Sequence, residues 1–137
     1  MEEERAEEID AKEKPEKKSY FFDTYAIIEI LRGNTSYAKY TDLPATMSQW
    51  NLAEVYYNAI LNLLLGDPDE IYNEYKSAVV EIDDETLKEA MKFRKQYKKQ
   101  DVSYADAIGY IYAKRNKMIF LTGDKEFKEL GNVEFTK

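Results

Sequence analysis

Residues 19–31, SYFFDTYAIIEIL, are the stretch of sequence that decides the fold. The stretch opens as an apolar, aromatic run of the kind found in a buried strand of a parallel sheet. From Asp23 onward the apolar residues change to helical spacing, with Ala26, Ile27 and Ile30 on one face. A strand that leads directly into a helix is the first half of a βαβ unit. We therefore expect Asp23 at the carboxyl end of a strand, which is where open α/β sheets place their ligand sites.

The rest of the chain continues the alternation of strands and helices. Short apolar or β-branched runs predict the further strands, and helical spacing with capping residues predicts the helices between them. The predicted strands are residues 43–47, 78–82, 117–121 and 133–135, and the predicted helices are residues 36–40, 48–65, 68–76, 83–98, 103–116 and 125–130. Because strands alternate with helices, we expect one three-layer α/β/α domain with a parallel sheet of four or five strands.

The first 18 residues differ in composition from everything that follows. They carry eight acids and five bases and almost no apolar side chains. A segment of this kind has too little apolar surface to bury to fold by itself. We therefore expect a charged N-terminal tail over residues 1–18 and a single domain over residues 19–137, and the tail takes no part in the functional interpretation.

Two residue types that often carry catalysis are missing, because the chain has no cysteine and no histidine. This excludes imidazole bases and Ser-His-Asp or Cys-His nucleophilic systems, and it argues against the usual zinc sites. Any chemistry must use carboxylates, lysine, arginine, tyrosine or hydroxyl groups. No apolar run is long enough for a membrane helix, and the lack of cysteine fits a reducing interior, so we expect a cytoplasmic protein without a membrane partner.

The net charge of −7 is unfavourable for binding nucleic acid through its phosphates. A nucleic-acid enzyme of this charge needs cations at its site or a local basic face. One basic helix end could steer RNA, and a solvated face at a helix C-terminus is the simpler explanation of the same residues. This helix end contains Lys92, Arg94, Lys95, Lys98 and Lys99.

Four acidic residues fall at positions that a parallel sheet brings together. Asp23 and Asp124 follow predicted strands, and Asp106 falls in the first turn of a helix that opens at Ser103. Glu54 lies on the apolar stripe of the helix predicted over residues 48–65. The stripe consists of Trp50, Ala53, Tyr57, Ile60, Leu61 and Leu64. A carboxylate on such a stripe must be paired, bound to a metal, or placed at the edge of a cleft.

Each of the four also has an ordinary structural explanation. Asp23 suits a helix N-cap, and Glu54 can lie at the edge of its stripe with the carboxylate in solvent. Ser103 and Asp106 form a capping-box pattern, and Asp124 fits a Gly-Asp turn. Together these explanations are weaker, because strand ends on one side of a parallel sheet converge and like charges raise one another's pKa unless a cation enters.

The donor set points to a hard divalent cation. Carboxylate oxygens without histidine or cysteine suit Mg²⁺ or Mn²⁺, and such ions support hydrolysis of phosphodiester bonds. We therefore expect Asp23, Glu54, Asp106 and Asp124 to be both metal ligands and catalytic residues. Asp101 is either an auxiliary acid or an ordinary loop residue.

Four segments resemble the PIN-domain family, and especially its VapC-type toxins: YFFDTYAIIEIL, NLAEVYY, DVSYADAIGYIYAK and IFLTGDKEF. In that family an Asp at the first strand end, a Glu in a central helix, an Asp in an S/T-x-x-D-A motif and an Asp in a T-x-D-x-x-F motif form the metal site. The residues that match are Asp23, Glu54, Asp106 and Asp124, together with the hydroxyl residues Thr24 and Thr122 as auxiliary members. The resemblance covers about residues 19–137, and the leader of 18 residues departs from the family pattern.

The resemblance implies a ribonuclease that depends on Mg²⁺ or Mn²⁺, commonly inhibited by a partner antitoxin. With the many Tyr and Leu residues available for an interface, it also suggests a homodimer. The main alternative is a PIN-like domain that binds RNA or serves as a scaffold without cleaving. A phosphatase with Asp23 as nucleophile is a third interpretation. It is weak because haloacid-dehalogenase-like enzymes need a second Asp two residues later, where this chain has Tyr25.

Overall fold

The computed structural model describes residues 18–97 and 101–137. The predicted tail, apart from Lys18, and the basic residues Lys98 and Lys99 lie outside the described residues. The strands within those ranges are β1 (Tyr20–Phe22), β2 (Ile119–Thr122) and β3 (Val133–Phe135). The α-helices there are α1 (Thr24–Leu31), α2 (Gln49–Leu61), α3 (Pro68–Tyr75), α4 (Asp84–Gln96) and α5 (Tyr104–Arg115). Short 3₁₀ helices occupy Thr35–Tyr40, Leu63–Leu65, Lys76–Ala78 and Lys125–Phe127.

The sheet is parallel, with strand order β1-β2-β3. Phe21 pairs with Phe120, and Phe22 pairs with Leu121. Because successive side chains of a strand point to opposite faces, the two pairs lie on opposite sides of the sheet. The predicted α/β class with a parallel sheet is thereby confirmed.

Two separate apolar cores cover the two faces of the sheet. The first contains Phe22 and Leu121 with buried side chains from α1, α2, α3 and the 3₁₀ helix Thr35–Tyr40. The second contains Phe21 and Phe120 with buried side chains from α4 and α5. Helices therefore pack on both faces, which gives the three layers and leaves the strand ends open at the edges of the layers.

The number of strands is smaller than predicted, since the described residues form three strands rather than four or five. Residues 43–47 and 78–82 contribute only one isolated parallel bridge, between Met47 and Val79. The bridge still extends the sheet, because the Phe22 N–H donates to the Thr46 carbonyl at 2.8 Å and the Val80 N–H donates to the Met47 carbonyl at 2.8 Å. Both segments are cut short by their neighbours: Ser48 already caps α2, and Val79 directly follows a 3₁₀ helix.

None of the helices in the described ranges has both the length and the apolar character that a membrane crossing requires.

Candidate active site

Asp23 lies at the junction of β1 and α1, where it caps the helix. Its side chain is almost completely buried, with 2% exposed. One carboxylate oxygen, Oδ1, accepts from the Thr24 N–H at 2.9 Å, and Oδ2 accepts from the Thr122 hydroxyl at 2.7 Å. Burial raises the pKa of Asp23 well above its usual value, and the nearby charge of Asp106 raises it further. Since both oxygens of this buried side chain accept hydrogen bonds, Asp23 is poorly presented as the nucleophile of a phosphatase.

Asp106 occupies the third position of α5 and takes part in a capping box. Its Oδ2 accepts from the Ser103 N–H at 3.1 Å, and its own N–H donates to Ser103 Oγ at 3.1 Å. Burial raises the pKa of Asp106, the bonds with Ser103 oppose the rise, and the charge of Asp124 adds to it. The capping-box pattern seen in the sequence is thus present, and the same carboxylate also faces other acids.

Thr122 ties two of the acids together at the end of β2. Its hydroxyl is fully buried, donates to Asp23 Oδ2 and accepts from the Asp124 N–H at 3.0 Å. The Asp124 carboxylate in turn accepts from the Glu126 N–H at 3.0 Å and caps the short helix Lys125–Phe127. The structure therefore brings Asp23, Thr122 and Asp124 together at one corner.

Glu54 reaches the same corner from α2. Its Oε1 accepts from the Thr24 hydroxyl at 2.6 Å. Burial raises the pKa of Glu54, the hydrogen bond from Thr24 opposes the rise, and the charge of Asp106 adds to it. Thr24 is therefore the residue that links α2 to the start of α1.

An open cleft of about 320 Å³ lies over these residues. Its lining consists of Asp23, Thr24, Tyr25, Ile28, Glu29, Arg32, Asn58, Asp106 and Asp124. Glu54 contacts the lining through Thr24. Asp101 is exposed, has a left-handed backbone with φ of 54°, and is not brought into the cleft. The sequence patterns did not identify Glu29, Arg32 or Asn58 as cleft residues. The sequence feature that could have indicated them is their place in the same two helical segments as Asp23 and Glu54.

The orientation of α2 corrects one expectation. Its core-facing side chains are Asn51, Leu52, Val55 and Ala59. The predicted stripe points outward, and its exposed fractions reach 61% at Tyr57, 66% at Leu61 and 94% at Leu64. Both faces of the segment are apolar, so the helical period identifies two stripes without saying which one meets the core. Glu54 lies on the border between them, half-buried rather than in the middle of the core face.

The charges of these acids suit a hard divalent cation, although the side chains are not arranged as a complete metal site. In the described part of the chain, no three acidic side chains form a preassembled group for a metal ion. However, burial raises the pKa of Asp23 and of Asp106, and the charges of neighbouring acids raise both further. Ionised carboxylates held close together repel one another, and a cation between them relieves that repulsion. Hard oxygen donors of this kind suit Mg²⁺ or Mn²⁺.

The basic end of α4 is used in part for structure. The Arg94 Nε–H donates to the Val102 carbonyl at 3.0 Å, and the guanidinium lies 4.2 Å from the centre of the Tyr104 ring. Arg94 therefore ties α4 to the segment that leads into α5. Lys92 and Lys95 are exposed, as a solvated face requires.

The fold and this corner define a class of protein: three-layer α/β/α domains with an acidic cleft at the carboxyl end of a parallel sheet. The model of the PIN domain matches residues 20–133, so the chain belongs to the PIN-domain family. No curated protein matches the sequence.

Two solved structures share the fold. A toxin–antitoxin complex from Klebsiella pneumoniae is 18% identical with a TM-score of 0.69, over 85% of this chain and 96% of that one. VapBC2 from Rickettsia felis, bound to a DNA fragment from its promoter, is 15% identical with a TM-score of 0.66, over 86% of this chain and 98% of that one. These likenesses support the three-layer architecture described above.

Proposed function

We propose that this PIN domain is a Mg²⁺- or Mn²⁺-dependent ribonuclease that hydrolyses RNA phosphodiester bonds, and that it is the toxin of a toxin–antitoxin pair. The observation that carries the proposal is the meeting of four acids at one cleft: Asp23, Asp106 and Asp124 line it, and Glu54 joins them through Thr24. Asp106 raises the pKa of both Asp23 and Glu54, and Asp124 raises that of Asp106. Proteins keep such repelling groups together where a cation or a reaction needs them. RNA as the substrate rests on the family.

The roles of the four acids follow from their surroundings. Asp23, Glu54, Asp106 and Asp124 would hold the metal, which when bound lowers the pKa of a water molecule and neutralises negative charge on the leaving oxygen. The protein's own part is to hold these carboxylates in place. Asp23 is fixed by the Thr24 N–H and the Thr122 hydroxyl, and Asp124 is fixed by the Glu126 N–H.

The substrate phosphate needs a positive partner in this acidic cleft. Arg32 lines the cleft, and its guanidinium lies 3.5 Å from a Glu29 carboxylate oxygen, with 57% of the side chain exposed. Only 15% of the Glu29 side chain is exposed, so Glu29 is the fixed partner and the exposed Arg32 guanidinium is the group that a phosphate can reach. We assign Arg32 the role of binding an RNA phosphate next to the scissile bond, because guanidinium matches phosphate in shape and charge.

The test is a cleavage assay with mixed structured RNAs in Mn²⁺, in Mg²⁺ and in EDTA. We expect cleavage with 5′-phosphate ends in either metal and none in EDTA. Asp106→Asn should lower the rate by orders of magnitude. The control is Asp83→Asn, which changes the same residue type at an exposed helix cap, where Asn also caps well. Full activity in EDTA overturns the metal-dependent mechanism, and RNA binding without cleavage in Mn²⁺ favours the scaffold alternative.

A protein partner is proposed for the outer face of α2 and the 3₁₀ helix after it. Large apolar side chains are exposed along this face: Trp50, Tyr57, Ile60, Leu61, Leu63 and Leu64. Clustered apolar exposure of this kind marks protein interfaces in soluble proteins. We propose that the chain forms a homodimer and binds an antitoxin, and that this face takes part in the assembly.

Light scattering at micromolar concentration tests the homodimer. We expect twice the chain mass of 16.1 kDa. Leu64→Glu should shift the protein towards the monomer without unfolding it, because the Leu64 side chain is 94% exposed. A wild-type protein that scatters as a monomer refutes the homodimer.

A further inference from the structure

The core-facing side of α2 carries a polar side chain among apolar ones. Asn51 is fully buried beside Leu52 and Val55, and Ser48 at the start of the helix is fully buried too. A buried amide without partners costs free energy comparable to a lost hydrogen bond, so the position demands a reason. The reason lies in the hydrogen bonds that Asn51 makes toward Glu54.

The orientation of the Asn51 amide follows from its partners. Oδ1 accepts from the Ser48 N–H at 3.0 Å and from the Ser48 hydroxyl at 2.7 Å. A backbone N–H can only donate, so the atom facing it must be the amide oxygen. The amide nitrogen therefore points the other way, and Nδ2 donates to the Thr24 hydroxyl oxygen at 3.1 Å.

The Thr24 hydroxyl has a single proton, and its direction is then determined. The oxygen already accepts from Asn51, and the proton goes to Glu54 Oε1 at 2.6 Å. No hydrogen bond to the second oxygen, Oε2, is found among residues 18–97 and 101–137. The hydrogen bonds thus run in one direction, from Asn51 to Thr24 and from Thr24 to Glu54 Oε1, and they leave Glu54 Oε2 available.

We propose that Asn51 is a positioning residue for the metal site: its amide compels Thr24 to donate to Glu54, which orients the carboxylate with Oε2 available to a divalent cation. The inference rests on the proposed metal-dependent function and adds a residue to it. Without Asn51, the Thr24 hydroxyl can turn its proton to other nearby oxygens, as Thr side chains at helix starts commonly do. Glu54 would then lose the hydrogen bond that fixes its carboxylate.

The experiment measures Mn²⁺ affinity by titration calorimetry on the folded full-length protein. Asn51→Asp keeps the shape but replaces the donor with an acceptor, so the Thr24 proton turns to residue 51 and away from Glu54. We expect Mn²⁺ binding to weaken by about 10–100-fold, the usual effect of removing a group that orients a metal ligand. The matched control is Asn62→Asp. There the structure uses only the side-chain oxygen, which accepts from the Leu64 N–H at 3.1 Å, and we expect less than a twofold change.

Two further variants separate the proposed role from a charge effect and from loss of folding. Asn51→Ala removes the donor without adding a charge. If Asn51→Asp does not melt cooperatively and is therefore not folded, Asn51→Ala alone is used for the Mn²⁺ titration. Thr24→Val breaks the chain one step later, so adding Asn51→Asp to that variant should weaken Mn²⁺ binding little further. A purely structural role for Asn51 gives additive losses instead.

The outcomes distinguish the inference from the function it rests on. If the wild type shows no saturable Mn²⁺ binding, the proposed metal-dependent function is wrong and the inference goes with it. If the wild type binds Mn²⁺ and the folded Asn51 variants bind equally well, the function stands and the role of Asn51 is refuted. Additive losses in the Thr24→Val background refute it as well.

Discussion

The substitution Asp106→Asn separates the two roles that the structure combines in one side chain. As a cap partner, Asp106 accepts from the Ser103 N–H at 3.1 Å, and an Asn side-chain oxygen can accept the same bond. As a member of the acidic cleft, Asp106 raises the pKa of Asp23 by its charge, and Asn removes that charge. The two roles therefore predict different effects on stability with and without metal.

Without metal, we expect the variant to be as stable as the wild type or more stable. Losing a cap entirely costs about 0.5–2 kcal/mol, whereas Asn retains the bond and most of that free energy. Against this small loss stands the relief of repulsion, worth about 1.4 kcal/mol for each unit by which the charge raises the pKa of Asp23. For a chain of 137 residues, 1 kcal/mol corresponds to a change in Tm of about 3–4 °C.

With metal, the order reverses. At a Mn²⁺ concentration of about 100 times Kd, the wild type gains about 2.7 kcal/mol of stability, which is about 9 °C in Tm. If the loss of a ligand weakens binding by about 100-fold, the variant at the same concentration gains only about 0.4 kcal/mol, or between about 1 and 2 °C.

The measurement is a set of four thermal melts, wild type and variant with and without Mn²⁺, beside one RNA cleavage assay. Asp83→Asn is again the control, because Asp83 caps α4 by accepting from the Thr86 N–H at 2.8 Å and does not line the cleft. Suppose instead that Asp106→Asn is less stable without metal, responds fully to Mn²⁺ and still cuts RNA. Asp106 would then be a helix cap and nothing more.

Two further predictions concern stability without metal. The pKa of Asp23 is higher in the folded than in the unfolded state, so the folded state binds more protons between the two values. The free energy of unfolding should therefore fall as pH rises through the folded pKa. Urea unfolding across pH should show this slope, and Asp23→Asn should flatten it. Gly109→Ala should cost about 1–3 kcal/mol in urea unfolding, because a Cβ there would lie 2.5 Å from the Phe21 ring, whereas Gly131→Ala, with open space around it, should cost far less.

The positions of the three Asp residues could be predicted from sequence because they depend on local chemistry. A strand that ends where a helix begins puts Asp23 and Asp124 at the carboxyl end of the sheet, and the Ser103 pattern puts Asp106 in a first helical turn. These features need only short-range information. The parallel pairing of β1 with β2 then brings Asp23 and Asp124 to one side.

The face of α2 could not be predicted, since the choice depends on what packs against the helix. Leu64 and Tyr57 follow the helical period as well as Leu52 and Val55 do, yet the first pair is exposed and the second is buried. Asn51 was overlooked for the same reason. Its signal is a polar residue three positions before Glu54, and that spacing gains meaning only once the inner face of the helix is known.

The strand count was too high because β-branched composition predicts an extended conformation, not partners for it. Residues 78–82 hold two valines and an isoleucine, but only Val79 forms a bridge. A 3₁₀ helix ends at Ala78 and Asp83 already caps α4, which leaves only residues 79–82 between them, and the Ser48 cap of α2 ends the partner segment directly after Met47.

All three Asp residues act as capping groups and also line the cleft of the proposed metal site, two roles that the sequence presented as alternatives. Each carboxylate gives one oxygen to a backbone N–H at a helix start: Asp23 to Thr24, Asp106 to Ser103 and Asp124 to Glu126. Each bond fixes the position of its carboxylate, and the positive ends of the α1 and α5 dipoles lie beside Asp23 and Asp106. Helix starts therefore supply part of what a cation would supply, because they hold mutually repelling acids in fixed positions. An acid that caps a helix at a strand end is, for this physical reason, a better candidate ligand than an acid in a free loop, such as Asp101.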